Sequence, residues 1–170
     1  MKARHVSAGK TYVMDSESRR DGTMPHKYPN VLVHLVFSTK NREPLIPPEL
    51  KPKLHAYISG IGKNKQIPVV AVGGTSNHVH ALIALPSDIS VSKAVQLLKA
   101  NSSRWLGEHQ IAFQWQEGYG AFSVSAPNRD AVIAYITNQP KHHARRSFND
   151  EFASMLRKAG VAPDAEEFFA

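Results

Sequence analysis

The stretch QIPVVAVGGTSNHVHALIAL, residues 66–85, decides how the chain folds. Its two ends are β-branched and apolar, and Gly73-Gly74-Thr75-Ser76-Asn77 between them is turn chemistry, so it reads as a β-hairpin. Pro68 has no backbone N–H to give a ladder, which places the opening of the first strand at a sheet edge or a strand start. In the second strand, period-two alternation sends His78 and His80 to one face and Val79, Ala81 and Ile83 to the other.

Outward from the hairpin the signals alternate. VLVHLVFST, residues 31–39, is an earlier apolar strand. Between the two lies a predicted helix from Pro48 to Ile61, with Leu50, Leu54, Tyr57, Ile58 and Ile61 at helical spacing. A second helix is predicted from Val91 to Leu106. Val91, Ala94, Val95, Leu98 and Trp105 line one side of it, and Lys93, Gln96 and Arg104 are polar. Gly118 to Ser125 reads as a further strand. Asn128 then serves as N-cap for a third helix to about Gln139, where Pro140 ends it, and Asp150 to Lys158 forms a last one. The order β-α-β-β-α-β implies a ferredoxin-like α+β sandwich: an antiparallel sheet with helices on one face, plus an extra C-terminal helix bearing Tyr135.

Composition narrows the function. With 42% hydrophobic and 21% charged residues in 170, the chain can bury a core, which excludes a wholly disordered or collagen-like protein. Apolar runs such as Val31 to Phe37 fall far short of the roughly 20 residues of a membrane span. The absence of cysteine removes disulfides, thiolate metal sites and a Cys nucleophile, and suits a reducing cytoplasm. Residues 1–23, MKARHVSAGKTYVMDSESRRDGT, have no apolar period and no secretory h-region, and read as a disordered extension. Residues 24–150 then form the domain, and 151–170 a C-terminal helix and tail. The net charge is +7, of which +6 sits in residues 28–150. A basic folded surface suits a polyanion, although many soluble proteins are this basic without one.

Two segments carry candidate chemistry. His78 and His80 lie about 7 Å apart along one strand face and can converge on a cation. In a chain with nine histidines they can equally be two polar residues on a half-exposed face; His142-His143 is another such cluster. In VIAYITNQ, residues 132–139, Tyr135 and Gln139 are one helical turn apart. Alone, that pair reads as a core-edge aromatic and a solvated amide. Together the segments suggest more. Two imidazoles and an amide oxygen leave a divalent ion its full positive charge for a phosphate, beside a phenol that could attack it.

His78-Val79-His80 resembles the His-hydrophobic-His signature of the HUH endonuclease superfamily. Tyr135 in AYITNQ, with Gln139 four residues on, resembles its single-tyrosine transposase branch, which serves small insertion sequences and REP-associated elements. YPNVLVHLVFSTKNR and WQEGYGAFSVS are also typical of that branch, so the likeness runs from about Tyr28 to Arg146. The resemblance implies cleavage and rejoining of single-stranded DNA with hairpin ends, through a 5′-phosphotyrosine and with Mg²⁺ or Mn²⁺. It implies Tyr135 as nucleophile, His78, His80 and Gln139 as metal ligands, and a homodimer in which one subunit's tyrosine helix is able to complete the other's site.

Lys93, Lys99, Arg104, Lys141, Arg145 and Arg146 are candidate phosphate contacts, each with the alternative of a solvated surface charge. Tyr119, between two glycines, is a rival nucleophile or a base-stacking platform. His34 reads as a partly buried, satisfied histidine. No nucleotide-binding glycine loop is present, so no nucleotide cofactor is implied. Two rival functions are a non-catalytic DNA-hairpin-binding module and a small-molecule metalloenzyme. Neither explains the whole pattern: binding alone needs neither the histidines nor the tyrosine, and a small substrate needs no basic core.

Overall fold

The structure, a computed structural model, describes residues 30–109, 111–144 and 146–162. The extension 1–23, residues 24–29, Arg145 and the tail from 163 lie outside the described residues. The strands are β1 (Leu32–Ser38), β2 (Val69–Gly74), β3 (His78–Ala84) and β4 (Gly120–Val124). The helices are α1 (Lys51–Asn64), α2 (Val91–Glu108), α3 (Arg129–Thr137), α4 (Gln139–His143) and α5 (Phe148–Lys158).

The sheet is antiparallel in the order β2-β3-β1-β4, so β2, which follows Pro68, is an edge strand. This is the ferredoxin-like arrangement that the order of elements implied. One sheet face, carrying Val33, Leu35 and Phe37 of β1 with Val79, Ala81 and Ile83 of β3, packs on Leu54 and Ile58 of α1 and Leu98 of α2. These side chains form the main core. Ser90 caps α2, its hydroxyl accepting from the Lys93 amide.

The opposite face is covered too, and this is where the C-terminal third of the chain matters. Leu82 packs with Ile136 of α3, and Val36 packs with Phe148, Phe152 and Leu156 of α5. Two glycines permit these approaches. At Gly73, paired with His80, a Cβ would strike the backbone of Ile136, so α3 lies directly against β2. At Gly120 a Cβ would strike the ring of Phe152, so α5 settles on β4.

Two local expectations are corrected. Asn128 stands at the N-cap of α3 but in helical geometry, with no side-chain cap hydrogen bond, because a 3₁₀ turn at Ala126–Asn128 already leads into the helix. Nor is there one helix to Gln139 closed by Pro140. The chain breaks at Asn138, and Pro140 sits in the first turn of α4, where a missing N–H costs nothing.

Candidate active site

Strand alternation fixes the first half of the site. His78 and His80 project from β3 onto the face covered by α3 and α5, and both are fully buried. Their rings are 5.0 Å apart, centre to centre. Tyr135 of α3 lies edge-on to His80 with ring centres 5.8 Å apart. Gln139, despite the break before it, is fully buried, and its Oε1 is 3.2 Å from His78 Nε2. Four residues from segments some 55 positions apart thus meet within a single chain.

Their meeting point is a residue the sequence did not single out. Glu151, in the first turn of α5, is 1% exposed. Its Oε1 accepts hydrogen bonds from the Tyr135 hydroxyl and, at 2.9 Å, from Gln139 Nε2. Its Oε2 lies 2.8 Å from His143 Nε2, 3.5 Å from His80 Nε2 and 3.8 Å from His78 Nε2. Ser147 caps α5 by accepting from the Asp150 amide, and Phe148 stacks on His78 at 4.5 Å, which together aim Glu151 inward.

The three imidazoles share one orientation. Asn77 donates its amide to the Arg42 carbonyl, so its oxygen, 2.7 Å from His78 Nδ1, accepts the His78 proton. His143 Nδ1 is 2.8 Å from the Arg146 carbonyl, which can only accept. His80 Nδ1 is 2.9 Å from His34 Nε2, and with His34 as acceptor the proton again sits on Nδ1. With the protons so placed, each Nε2 lone pair points to the centre, and His80 Nε2 is buried with no hydrogen-bond partner. Three outward N–H groups held by acceptors, with three inward lone pairs, is the arrangement metal-binding histidines adopt.

One ligand atom from each of His78, His80, His143 and Glu151 lies within 4.8 Å of the others, so this donor set fits a divalent cation. The expectation that a cation would meet neutral donors alone is changed by Glu151, which adds a carboxylate. Gln139 sits between the cation-binding set and the carboxylate, its oxygen toward His78 and its N–H groups toward Glu151.

Burial acts on His34, His78, His80, Tyr135 and Glu151. It holds His34 and His78 down to about 3, with the neighbouring His80 adding to the effect, and it lowers His80 as well. It pushes the Tyr135 phenol above its ordinary range, and the adjacent Glu151 carboxylate pushes it further. For Glu151, burial acts upward, but the neighbouring His80 ring and the bonds from Tyr135 and Gln139 outweigh it, and the carboxyl is held well below its usual range. Unfolding returns His34 and His78 to about 6.5, so the unfolded chain takes up protons that the folded one refuses. Stability of the metal-free protein therefore falls as pH drops from 6.5 toward 3, by about 1.4 kcal/mol per pH unit for each imidazole. Glu151 acts in the same direction below its ordinary 4.5. Urea midpoints in chelator are expected to be clearly lower near pH 5 than near pH 7; equal midpoints would mean the imidazoles are hydrated.

His34, buried with its Nε2 2.9 Å from His80 Nδ1, is placed to act as an orienting acceptor. Replacing it with alanine is expected to weaken Mn²⁺ binding about 10- to 100-fold by calorimetric titration, with Gln, which restores an acceptor, recovering most of it. Equal affinity in all three proteins would rule that role out.

The basic candidates separate. Arg146 follows α4 and acts electrostatically on Tyr135, and Lys141 is exposed on α4. Lys93 and Arg104 are exposed on α2, whose buried residues belong to the opposite side of the sheet. Lys99 is not a free phosphate contact: its ammonium donates to the carbonyls of Gln116 at 2.6 Å and Gly118 at 2.9 Å.

The family model described as "Transposase IS200 like" matches residues 27–139. The chain belongs to the IS200-like transposase family. It is thus a tyrosine transposase of the HUH nuclease type, and the histidine pair on β3 forms an HUH-like cluster inside the matched segment. Among solved structures, a candidate transposase from Deinococcus radiodurans is 22% identical with a TM-score of 0.54, over 69% of this chain and 98% of that one. A REP-associated tyrosine transposase bound to a REP hairpin is 16% identical with a TM-score of 0.52, over 72% and 74% of the respective chains. At such identities these likenesses establish the fold. The chain matches no curated protein. No helix among the described residues is long and apolar enough to cross a membrane.

Proposed function

We propose that this transposase cleaves and rejoins single-stranded DNA with Tyr135 as its nucleophile and a divalent cation held by His78, His80, His143 and Glu151. Gln139 is the group that positions Glu151 and can add its oxygen to the cation. The observation that carries this reading is the convergence of three imidazole lone pairs and one phenol on a single buried carboxylate. A binding module has no use for that convergence.

In the cleavage step Tyr135 Oη attacks the phosphorus. The new O–P bond forms as the P–O3′ bond breaks, leaving a 5′-phosphotyrosine. Glu151 Oε1, already accepting from the phenol, receives its proton and passes it through water to the departing 3′ oxygen. Rejoining reverses the sequence: the 3′ hydroxyl attacks the phosphotyrosine and the phenol regains its proton. The Arg146 guanidinium favours the developing phenolate. When bound, the cation polarises the phosphoryl oxygens and offsets the charge of the transition state. Both Mg²⁺ and Mn²⁺ are candidates, and three imidazoles favour the softer Mn²⁺.

The solved relative with a bound REP hairpin supports hairpin-ended DNA as the substrate here. Because all four groups belong to one chain, we place the nucleophile and its histidines in the same subunit, within a dimer whose assembly sedimentation would report. Lys141 and Arg146 then contact phosphates beside the site, and Lys93 and Arg104 those of a more distant segment; Arg145 joins the first pair by its place in the sequence.

The test is incubation with end-labelled single-stranded DNA and Mn²⁺, followed by a denaturing gel. A slow covalent protein–DNA band that disappears with chelator supports the reading. Hairpin binding with no such band under any divalent cation would leave a non-catalytic binding module.

A further inference from the structure

A groove of about 920 Å³ opens beside the histidine cluster, in the size range of small-molecule sites. The end of β1, α2 and the 114–120 segment line it, and Phe148 and Phe152 of α5 close it. Phe148 is a shared wall, since its ring also stacks on His78 at 4.5 Å. Charge in the groove is lopsided: Lys40, Arg42 and Lys99 stand against Glu117 alone. Tyr119, on the lining of the groove, is 41% exposed and so has ring surface free for a ligand to cover.

The groove is also built to hold its shape. Lys99 binds the Gln116 and Gly118 carbonyls, the Trp115 indole donates to Ser102 Oγ at 3.1 Å, and the Asn41 amide donates to Gln116 Oε1 at 2.8 Å. These bonds tie the 114–120 segment to α2 and to the turn after β1. A cationic rim, an exposed aromatic face and a rigid floor are what proteins use to hold unpaired nucleotides.

Resting on the transposase reading, we infer that this groove is the subsite for the unpaired nucleotides next to the scissile phosphate, with a base stacked on Tyr119 and backbone phosphates at Lys40 and Arg42. A strand leaving the cluster passes Phe148 directly into it. The inference gives Tyr119 a binding role and leaves nucleophilic attack to Tyr135.

The experiment uses the full chain with single-stranded oligothymidylate carrying 5-iodouracil. Irradiation should crosslink the base to the peptide containing Tyr119. Tyr119→Leu should lose the crosslink and weaken single-strand binding about tenfold or more, whereas Tyr119→Phe, which keeps a ring, should retain both. Arg42→Ala should reduce the salt dependence of binding by about one ion. Equal oligothymidylate affinity in wild type and Tyr119→Leu, or crosslinking elsewhere, overturns the subsite. The covalent band formed by the wild type is scored separately. If it forms while Tyr119→Leu binds normally, only the subsite fails; if it never forms while Tyr119→Leu binds weakly, only the cleavage chemistry fails.

Discussion

Tyr135→Phe is expected to remove the covalent protein–DNA band, with a loss of cleavage on the order of 10⁴-fold or more, while a DNA hairpin still binds. The phenol oxygen is the only atom deleted, and it is the atom that would carry the phosphorus. The substitution also removes one hydrogen bond to Glu151. Gln139 remains as a donor to that carboxylate, so the cost in stability should be about 1–3 kcal/mol, within reach of a urea titration. Tyr119→Phe is the companion. Tyr119 lines the groove and keeps its ring in this variant, so the band should stay in place. A band that survives Tyr135→Phe and vanishes with Tyr119→Phe would exchange the roles of the two tyrosines.

Periodicity carried much of this molecule. Alternation in HVHALIA placed His78 and His80 on one sheet face, and the order of strands and helices was enough for a ferredoxin-like sandwich. The spacing of Tyr135 and Gln139 held in effect, although a helix break falls between them. What could not be read was Glu151. In sequence it is an acidic residue in the first turn of a helix, where the helix dipole alone explains a carboxylate. Its role depends on where α5 docks, and that depends on Gly120 admitting Phe152 and on Phe148 reaching His78. Those contacts span 32 positions in one case and 70 in the other, and no local pattern encodes them. His143 was visible only as half of a His-His pair; the turn of α4 selects it, through the Arg146 carbonyl, to face the carboxylate. The orienting partners Asn77 and His34 were equally silent, being an ordinary turn residue and an ordinary strand histidine.

Glu151 is therefore the residue whose change should be most informative about the cation. Glu151→Gln keeps the volume and leaves an oxygen to accept from Tyr135 and Gln139, so the metal-free fold should persist, at a smaller cost than a truncation that leaves both donors without an acceptor. The cation, however, loses its one anionic donor. Wild type at a Mn²⁺ concentration about 100 times its Kd should gain about 2.7 kcal/mol against urea, and a variant bound about 100-fold more weakly should gain only about 0.4 kcal/mol at that concentration. Glu151→Ala should behave differently in the absence of metal. It strands the Tyr135 hydroxyl and the Gln139 amide around a hole, and should cost about 3–5 kcal/mol. The contrast between the two variants separates the carboxylate's charge from its packing. With the charge gone, burial still holds the phenol above its ordinary range, but less far, so the ultraviolet titration of Tyr135 should move to lower pH in Glu151→Gln. A Gln variant that is stabilised by Mn²⁺ as strongly as wild type would remove Glu151 from the cation site and leave it as the phenol's partner alone.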